Sequence, residues 1–414
     1  MRRGIRVWGA ISGAIAFAAA MFAVDASSEH VSAEDARTAV GSLHDGYAVA
    51  QAPFIASNFC LDDLSVQSLS NMFQDEPGGI IGADYPRTVE LPTGSVLWTF
   101  QDARVRTPDG GARYVHNIGM VQTGRCFSIL VGGSAAHPEA WLFEEHTSPT
   151  QRWFWPLDGA IGDDGKVYIF AAEMHERGES YLTESDPGGT FVARFDPVTW
   201  NIDFYGQPGD ISSDLYGWSI ASDSNWTYLF AHCHRQFGFD PYLGVAAHDR
   251  SCTNQVTVAR VPAGRLFDQP TYWTGTTWSS DRSRAVPVIE DRGQLSSPTQ
   301  VMYRNHRWVA TTKVDDWWGD EVIIEAAVHP TGPFVELERR RVSAKCAREC
   351  NTYFASWVDG QNNAGPTDAM IMSLSHNRWD GEATHIYRPS FEVVLPPETS
   401  AAAPAMRCSL GHCE

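Results

Sequence analysis

Between residues 76 and 396 apolar and polar side chains alternate with a period of two, and the runs are broken by Gly, Asp or Asn. Val96, Trp98 and Phe100 share one face of one run, and Val167, Ile169 and Ala171 share one face of another, the pattern of β-strands. Helical periodicity is scarce over the same stretch. Five segments repeat one plan: an aromatic or small-residue start, a short strand, a turn, and an aromatic-rich return. They are "GADYPRTVELPTGSVLWTFQDA" (82–103), "WPLDGAIGDDGKVYIFAAEM" (155–174), "YGWSIASDSNWTYLFAHC" (216–233), "SPTQVMYRNHRWVATTKVDD" (297–316) and "YFASWVDGQNNAGPTDAMIMSLSHN" (353–377). Further strand-like runs, such as "NIGMVQTGRCFSILVG" and "FVARFDPVTWNIDFYG", follow the hairpins. An all-β chain of repeated multi-strand units at unequal spacing predicts a β-propeller, and five units predict five blades. A large β-sandwich or a pair of β domains is the other arrangement this pattern allows.

The chain divides into four parts. Residues 1–26 read as a signal segment: Arg2, Arg3 and Arg6 precede an Ala-rich apolar run over 7–24, and Ala26 closes a small-residue cleavage site. The run is near the ~20 residues of a membrane span, so a retained anchor is the alternative. Residues 27–75 form a short N-terminal lead-in, in which "AEDARTAV" reads as a helix. The propeller is expected over 76–396, and 397–414 is a loose Ala/Pro-rich tail containing cysteine.

The net charge of −19 removes nucleic acid as a partner, since binding phosphate needs a basic surface and the longest basic cluster is Arg339–Arg341. The protein is expected to be a monomer in the secreted or envelope compartment. Its eight Cys suggest disulfides, with Cys233/Cys252, Cys346/Cys350 and Cys408/Cys413 as plausible local pairs; tight metal-ligand spacing is missing, which argues against zinc. No cofactor is expected. "DGQNNAGPTD" does not fit an EF-hand, and a structural calcium is left open. Nucleophile-elbow, P-loop, HExxH and Rossmann signatures are all missing from the sequence.

Candidate chemistry collects at the open ends of the hairpins. A turn centred between Thr93 and Gly94 sets Asp84 across from Ala103 and Asp102 across from Tyr85. Strand spacing then puts the two carboxylates roughly 5–10 Å apart, which spans both glycosidase geometries. The same ends of the other hairpins carry Asp158, Glu173, Tyr216, His232, Lys313, His376 and Asn377. Trp155, Trp218, Trp317 and Trp318 ring that face, with Arg87, His116 and Asn117 nearby. The chain has 15 Trp, and carboxylates among aromatic platforms suit a carbohydrate pocket. Each residue also has a plainer reading: strand-end Asp as turn or cap residues, Trp as core, and His116–Asn117 as a satisfied buried pair. Asp102 follows the apolar strand "VLWTF" and is expected to be the less solvated acid, the proton donor.

In order, "GADYPRTVELPTGSVLWTFQDA", "FWPLDG", "YGWSIASD…TYLFA", "HPTGPF" and "SLSHNRWD" resemble motifs of the domain of unknown function 4185 family, over 82–380. That family includes bacterial endo-D-arabinanases and has a five-bladed propeller fold. The resemblance implies a glycan-directed propeller, with Asp84 and Asp102 as acid/base and nucleophile and Glu173 and Asp320 as supporting acids. The expected function is a secreted glycoside hydrolase for a furanose-containing cell-wall polysaccharide. A non-catalytic sugar-binding propeller and an envelope protein-interaction propeller are the alternatives.

Overall fold

The computed structural model describes residues 54–73, 79–142, 144–145, 152–175, 189–206, 216–232, 239–240, 245–246, 255–290, 299–314, 319–342, 350–358, 369–378, 386–394, 408–409 and 412–413. These residues form an all-β structure. The five hairpins read from the sequence pair as hairpins, and each belongs to a different antiparallel sheet. One strand of each hairpin is labelled here: β1 (Arg87–Glu90), β2 (Arg152–Ile161), β3 (Ser219–Ser222), β4 (Gln300–Arg304) and β5 (Cys350–Val358). Their hairpin partners are Val96–Phe100, Val167–His175, Trp226–His232, Arg307–Val314 and Met370–Arg378.

Neighbouring sheets are joined along these five strands by side chains that meet backbone groups. Between the first and second sheets, Gln101 Nε2 donates to Pro156 O at 3.2 Å. Between the second and third, Ile220 N–H donates to Asp158 Oδ2 at 2.7 Å. Between the third and fourth, Val301 N–H donates to Ser219 Oγ at 2.8 Å, and that hydroxyl donates to Val301 O at 3.0 Å. Between the fourth and fifth, Trp357 N–H donates to Gln300 Oε1. Between the fifth and first, Tyr85 N–H donates to Ser375 Oγ at 3.1 Å. A strand at a sheet edge has backbone groups without a ladder, and buried polar side chains satisfy them here.

Each of these junctions has its own apolar cluster. Leu97, Trp141, Phe154 and Ile169 join the first and second sheets. Phe170, Trp218 and Leu229 join the second and third. Tyr228, Phe230, Val301 and Trp308 join the third and fourth, and Val322, Ile324, Trp357 and Met372 the fourth and fifth. Trp98, Phe100, Ile371 and Phe391 join the fifth back to the first. Val96–Phe100 is buried at all five positions, not alternately, because a sheet covered on both faces has no solvent side.

The lead-in contributes to the sheets. Residues Phe54–Cys60 pair with Cys126–Gly133 at the outer side of the first sheet, and Cys60 is disulfide-bonded to Cys126. Helix α1 (Val66–Met72), N-capped by Ser65, buries Leu69 and Met72. It reaches the fifth sheet, where Phe391 N–H donates to Ser70 Oγ at 3.0 Å. The lead-in therefore ties the last sheet to the first. The helix expected at "AEDARTAV", the signal segment, Cys233, Cys252 and Cys346 lie outside the described residues, as does the "DGQNNAGPTD" loop. Cys408 and Cys413 are backbone partners in a two-residue hairpin. No helix of the described residues is long and apolar enough to cross a membrane.

The 66-residue separation of Cys60 and Cys126 gives the disulfide a large effect on the unfolded chain. Cys60→Ser with Cys126→Ser is expected to lower unfolding free energy by about 4 kcal/mol on the loop-entropy relation. Urea unfolding of the oxidised wild type against the double variant checks this; equal midpoints would show that the bridge constrains little.

Candidate active site

The opening hairpin is one residue tighter than the sequence reading. Its turn closes with Leu91 N–H on Ser95 O at 2.8 Å and Gly94 N–H on Leu91 O at 2.9 Å, with Gly94 at φ +78°, where a side chain would be strained. The turn thus centres on Thr93. Arg87 pairs with Thr99 on one side of the site and Ala83 with Ala103 on the other, so Asp84 stands across from Asp102, not Ala103. Asp84 N–H donates to Asp102 O at 2.9 Å, and Gln101 N–H donates to Asp84 O at 3.0 Å.

Tyr85 holds φ +50°, and Phe354, at a register shift in β5, holds φ +45°. Positive φ is strained for aromatic residues and persists where packing enforces it. The two rings meet edge to face with centroids 4.4 Å apart, and Trp218 lies 5.6 Å from Tyr85. The kink at Tyr85 aims Asp84, and the shift at Phe354 aims Tyr353, whose hydroxyl bonds Asp84 together with that of Ser375.

The two carboxylates have unlike surroundings. Asp102 Oδ1 is 3.0 Å from both His116 Nδ1 and Trp155 Nε1–H, and Oδ2 accepts from Tyr387 OH at 3.4 Å. His116 is stacked on Trp153 with centroids 4.3 Å apart, which fixes its ring. Asp84 is 6% exposed, and its Oδ1 has no hydrogen-bond partner among the described residues. Burial first, and then the charge of Asp102, push the Asp84 carboxyl well above the usual carboxylate range, against the hydroxyls of Tyr353 and Ser375. Asp84 is therefore the member biased towards its protonated form, where the sequence suggested Asp102, the more buried of the two at 2% exposure.

Other predicted residues divide between this site and the scaffold. Trp155 is half-buried against Asp102, whereas Glu173, buried, pairs with Phe154 and so lies on the other face of the sheet from Trp153 and Trp155. Asn117 is structural: its Nδ2 donates to Leu142 O at 3.2 Å and Phe154 O at 2.8 Å, and its Oδ1 accepts from Leu142 N–H at 2.6 Å. Trp218 and Tyr216 are core residues, and Tyr216 OH accepts from Thr257 Oγ1 at 3.0 Å. Lys313 donates to the Val314 and Gly319 carbonyls. The His376 ring lies between Thr352 Oγ1 at 3.0 Å and Ser390 Oγ at 2.7 Å. His232 Nε2 accepts from Thr299 N–H at 2.6 Å, and burial pulls its pKa down to about 3, so it is neutral. Asp320 is at the surface, 3.8 Å from Arg341, and does not join the acids. Trp317 and Trp318 lie outside the described residues, and Asn377 is described by its backbone alone.

Arg87 and Asp158 lie deeper. Arg87 is 1% exposed, its guanidinium 4.2 Å over the Tyr85 ring, with Nη2 donating to Trp218 O at 3.2 Å. Its Nε and Nη1 have no partner among the described residues, and burial lowers its pKa to about 10. Asp158 accepts from Gly159 and Ile220 N–H at 2.9 and 2.7 Å; burial nevertheless raises its carboxyl to about 6. They form a scaffold pair and not the sugar contacts and supporting acid expected of them.

Sequence reasoning missed Tyr353, Ser375 and Tyr387. All three come from the fifth sheet, and only Tyr353 carried a local signal, as the aromatic start of its hairpin.

Two variants separate platform from core. Trp218→Ala removes a large side chain from a packed cluster and is expected to cost about 3–5 kcal/mol in urea unfolding. A cost below 1 kcal/mol would put Trp218 outside the core. Trp155→Phe keeps an aromatic ring and removes one donor to Asp102, so glycan cleavage should slow by about tenfold or more with little loss of unfolding free energy. An unchanged cleavage rate would show that this hydrogen bond does not position the carboxylate.

No curated protein matches the chain. Among solved structures, a proposed hydrolase from Bacteroides ovatus is 16% identical with a TM-score of 0.56, covering 76% of this chain and 86% of that one. A family GH43_1 enzyme from Xanthomonas citri in complex with xylose is 14% identical with a TM-score of 0.40, covering 78% and 93%. An exo-β-1,3-galactanase from Phanerochaete chrysosporium is 9% identical with a TM-score of 0.43, covering 83% and 64%. The likeness to the Bacteroides protein is one of fold. Residues 68–394 match a family model described as Domain of unknown function (DUF5005), a different family from the one the motifs resemble. That span holds the five hairpins and both acids of the opening one, and by it the chain belongs to the Domain of unknown function (DUF5005) family.

Proposed function

We propose that this protein is an exported glycoside hydrolase with a five-bladed propeller fold, acting on a furanose-containing cell-wall polysaccharide, D-arabinan first among those to test. The observation that carries the reading is the Asp84–Asp102 pair, two buried carboxyls in unlike surroundings: burial biases Asp84 towards its protonated form, while Asp102 accepts from Trp155 and Tyr387. Glycoside cleavage needs such a division of labour: an acid for the leaving oxygen and a carboxylate for the anomeric side. Trp155, half-buried beside the pair, is positioned to flank a sugar. Five blades are supported by the five inter-sheet junctions, the last of which returns to the first sheet. Arabinan rests on the motif resemblance, and export on the Arg-led apolar start. The proposed chemistry uses no cofactor.

The burial of both carboxylates favours a second reading, a non-catalytic sugar-binding propeller. The test is reducing-end release from D-arabinan, arabinogalactan and other wall glycans by purified protein, with binding measured in parallel. Release that is lost in Asp84→Asn supports the hydrolase. Binding without release from any glycan supports the second reading.

A further inference from the structure

The opening hairpin does not end at the acids. Beyond Asp84 and Asp102 its two strands pair again, as Ile80–Ala83 with Ala103–Arg106, and Ala112–Val115 adds a third strand. This small sheet stands beside the site and exposes an aromatic side chain, Tyr114, at 38%.

Two contacts fix the Tyr114 ring. It meets the His116 ring edge to face, with centroids 5.1 Å apart and planes at 88°. Its hydroxyl is hydrogen-bonded to that of Tyr387. A Tyr hydroxyl has one proton, and Tyr387 gives its own to Asp102 Oδ2, so Tyr114 is the donor. His116 and Tyr387 are buried, and each touches Asp102. Ordering an exposed side chain costs rotamer entropy. Here the ring is held in place before any ligand arrives, which lowers the cost of binding one. Arg104 lies directly across from Tyr114, half-buried on the same face of the small sheet. An aromatic ring with guanidinium donors beside it suits a sugar, which offers C–H surface and hydroxyls together. The Asp102 carboxylate is 3.0 Å from the His116 ring nitrogen, and the Tyr114 ring lies a further 5.1 Å on, centroid to centroid. Tyr114 is therefore one side chain removed from the acids, within reach of the next sugar along a chain.

Resting on the reading that the site takes a glycan, we propose that Tyr114 is a binding platform for the sugar next to the one at the acids. The site then grips a glycan chain and not a single sugar.

The experiment measures affinity by titration calorimetry for methyl arabinofuranoside and for longer D-arabinan oligosaccharides. Asp84→Asn serves as the parent protein, so that the ligands are not consumed, and Tyr114→Ala and Tyr114→Leu are each added to it. Leu keeps apolar bulk over His116 and removes the aromatic ring, should Ala disturb the fold. By analogy with bases stacked on aromatic side chains, oligosaccharide affinity should weaken about 5–150-fold in both. The gain in affinity from the methyl glycoside to the oligosaccharides should shrink with it. Equal oligosaccharide affinity in the parent and in Tyr114→Leu overturns the inference and leaves the hydrolase reading to its own cleavage test. No binding and no cleavage of any glycan in the screen overturns both.

Discussion

Asp84→Asn and Asp102→Asn are each expected to slow glycan cleavage by about 10²–10⁴-fold, the usual worth of positioned proton transfer. Both substitutions keep the shape of the side chain. Asn at 84 can still donate to the hydroxyls around it but cannot give a proton to a leaving oxygen. Asn at 102 can accept from Trp155 but lacks the charge that stabilises a developing cation or forms an ester. The variants should differ on substrates with a good leaving group. An aryl glycoside needs little acid assistance, so Asp84→Asn should recover most of its first-step rate there and Asp102→Asn should not. The measurement is reducing-end release from arabinan beside aryl-glycoside hydrolysis, with unfolding curves to confirm that both variants fold. Near wild-type rates in both would make the pair structural.

The second large effect concerns Arg87 and Asp158. Asp158→Asn takes the attracting carboxylate away from the buried Arg87 guanidinium but also removes a carboxylate whose charge burial disfavours, so the two effects oppose each other near pH 7. pH gives an independent readout. Burial raises Asp158 from 3.8 to about 6, so the folded protein binds this proton more tightly than the unfolded chain does. Stability from this group is then greatest below pH 4 and falls as pH rises to 6, by about 3 kcal/mol at 1.36 kcal/mol per unit. Asp84, also raised, adds to the same trend. Asp63 and Asp196, lowered to about 2, act in the opposite sense, but only below their unfolded value of 3.8. Urea unfolding between pH 4.5 and 7 should show a falling trend in wild type that is reduced in Asp158→Asn. Parallel curves for the two proteins would show that Asp158 does not titrate there.

Strand periodicity and turn chemistry are local, so the five hairpins, their partners and the all-β class were legible in the chain. So was the meeting of Asp84 with Asp102, because it needs only one hairpin and 18 residues. Export was read there from a segment outside the described residues, and Cys408/Cys413 as a plausible pair from a tail in which the two are backbone partners. What tertiary structure decided begins one residue away. The turn's backbone hydrogen bonds centre it on Thr93, and that shift sets the acids in direct opposition. The surroundings of each acid come from Trp155 of the second sheet and Tyr353, Ser375 and Tyr387 of the fifth, groups that no local pattern connects to the opening hairpin. Burial alone suggested Asp102, but it is the Asp84 carboxyl that burial and the neighbouring carboxylate push up in the folded protein. The same limit explains Asn117, Trp218 and Asp320. Residue type and strand-end position put all three at a sugar face, but position along a strand does not say which side chain meets another sheet. Packing turned Asn117 and Trp218 inward, between sheets, and left Asp320 at the surface with Arg341.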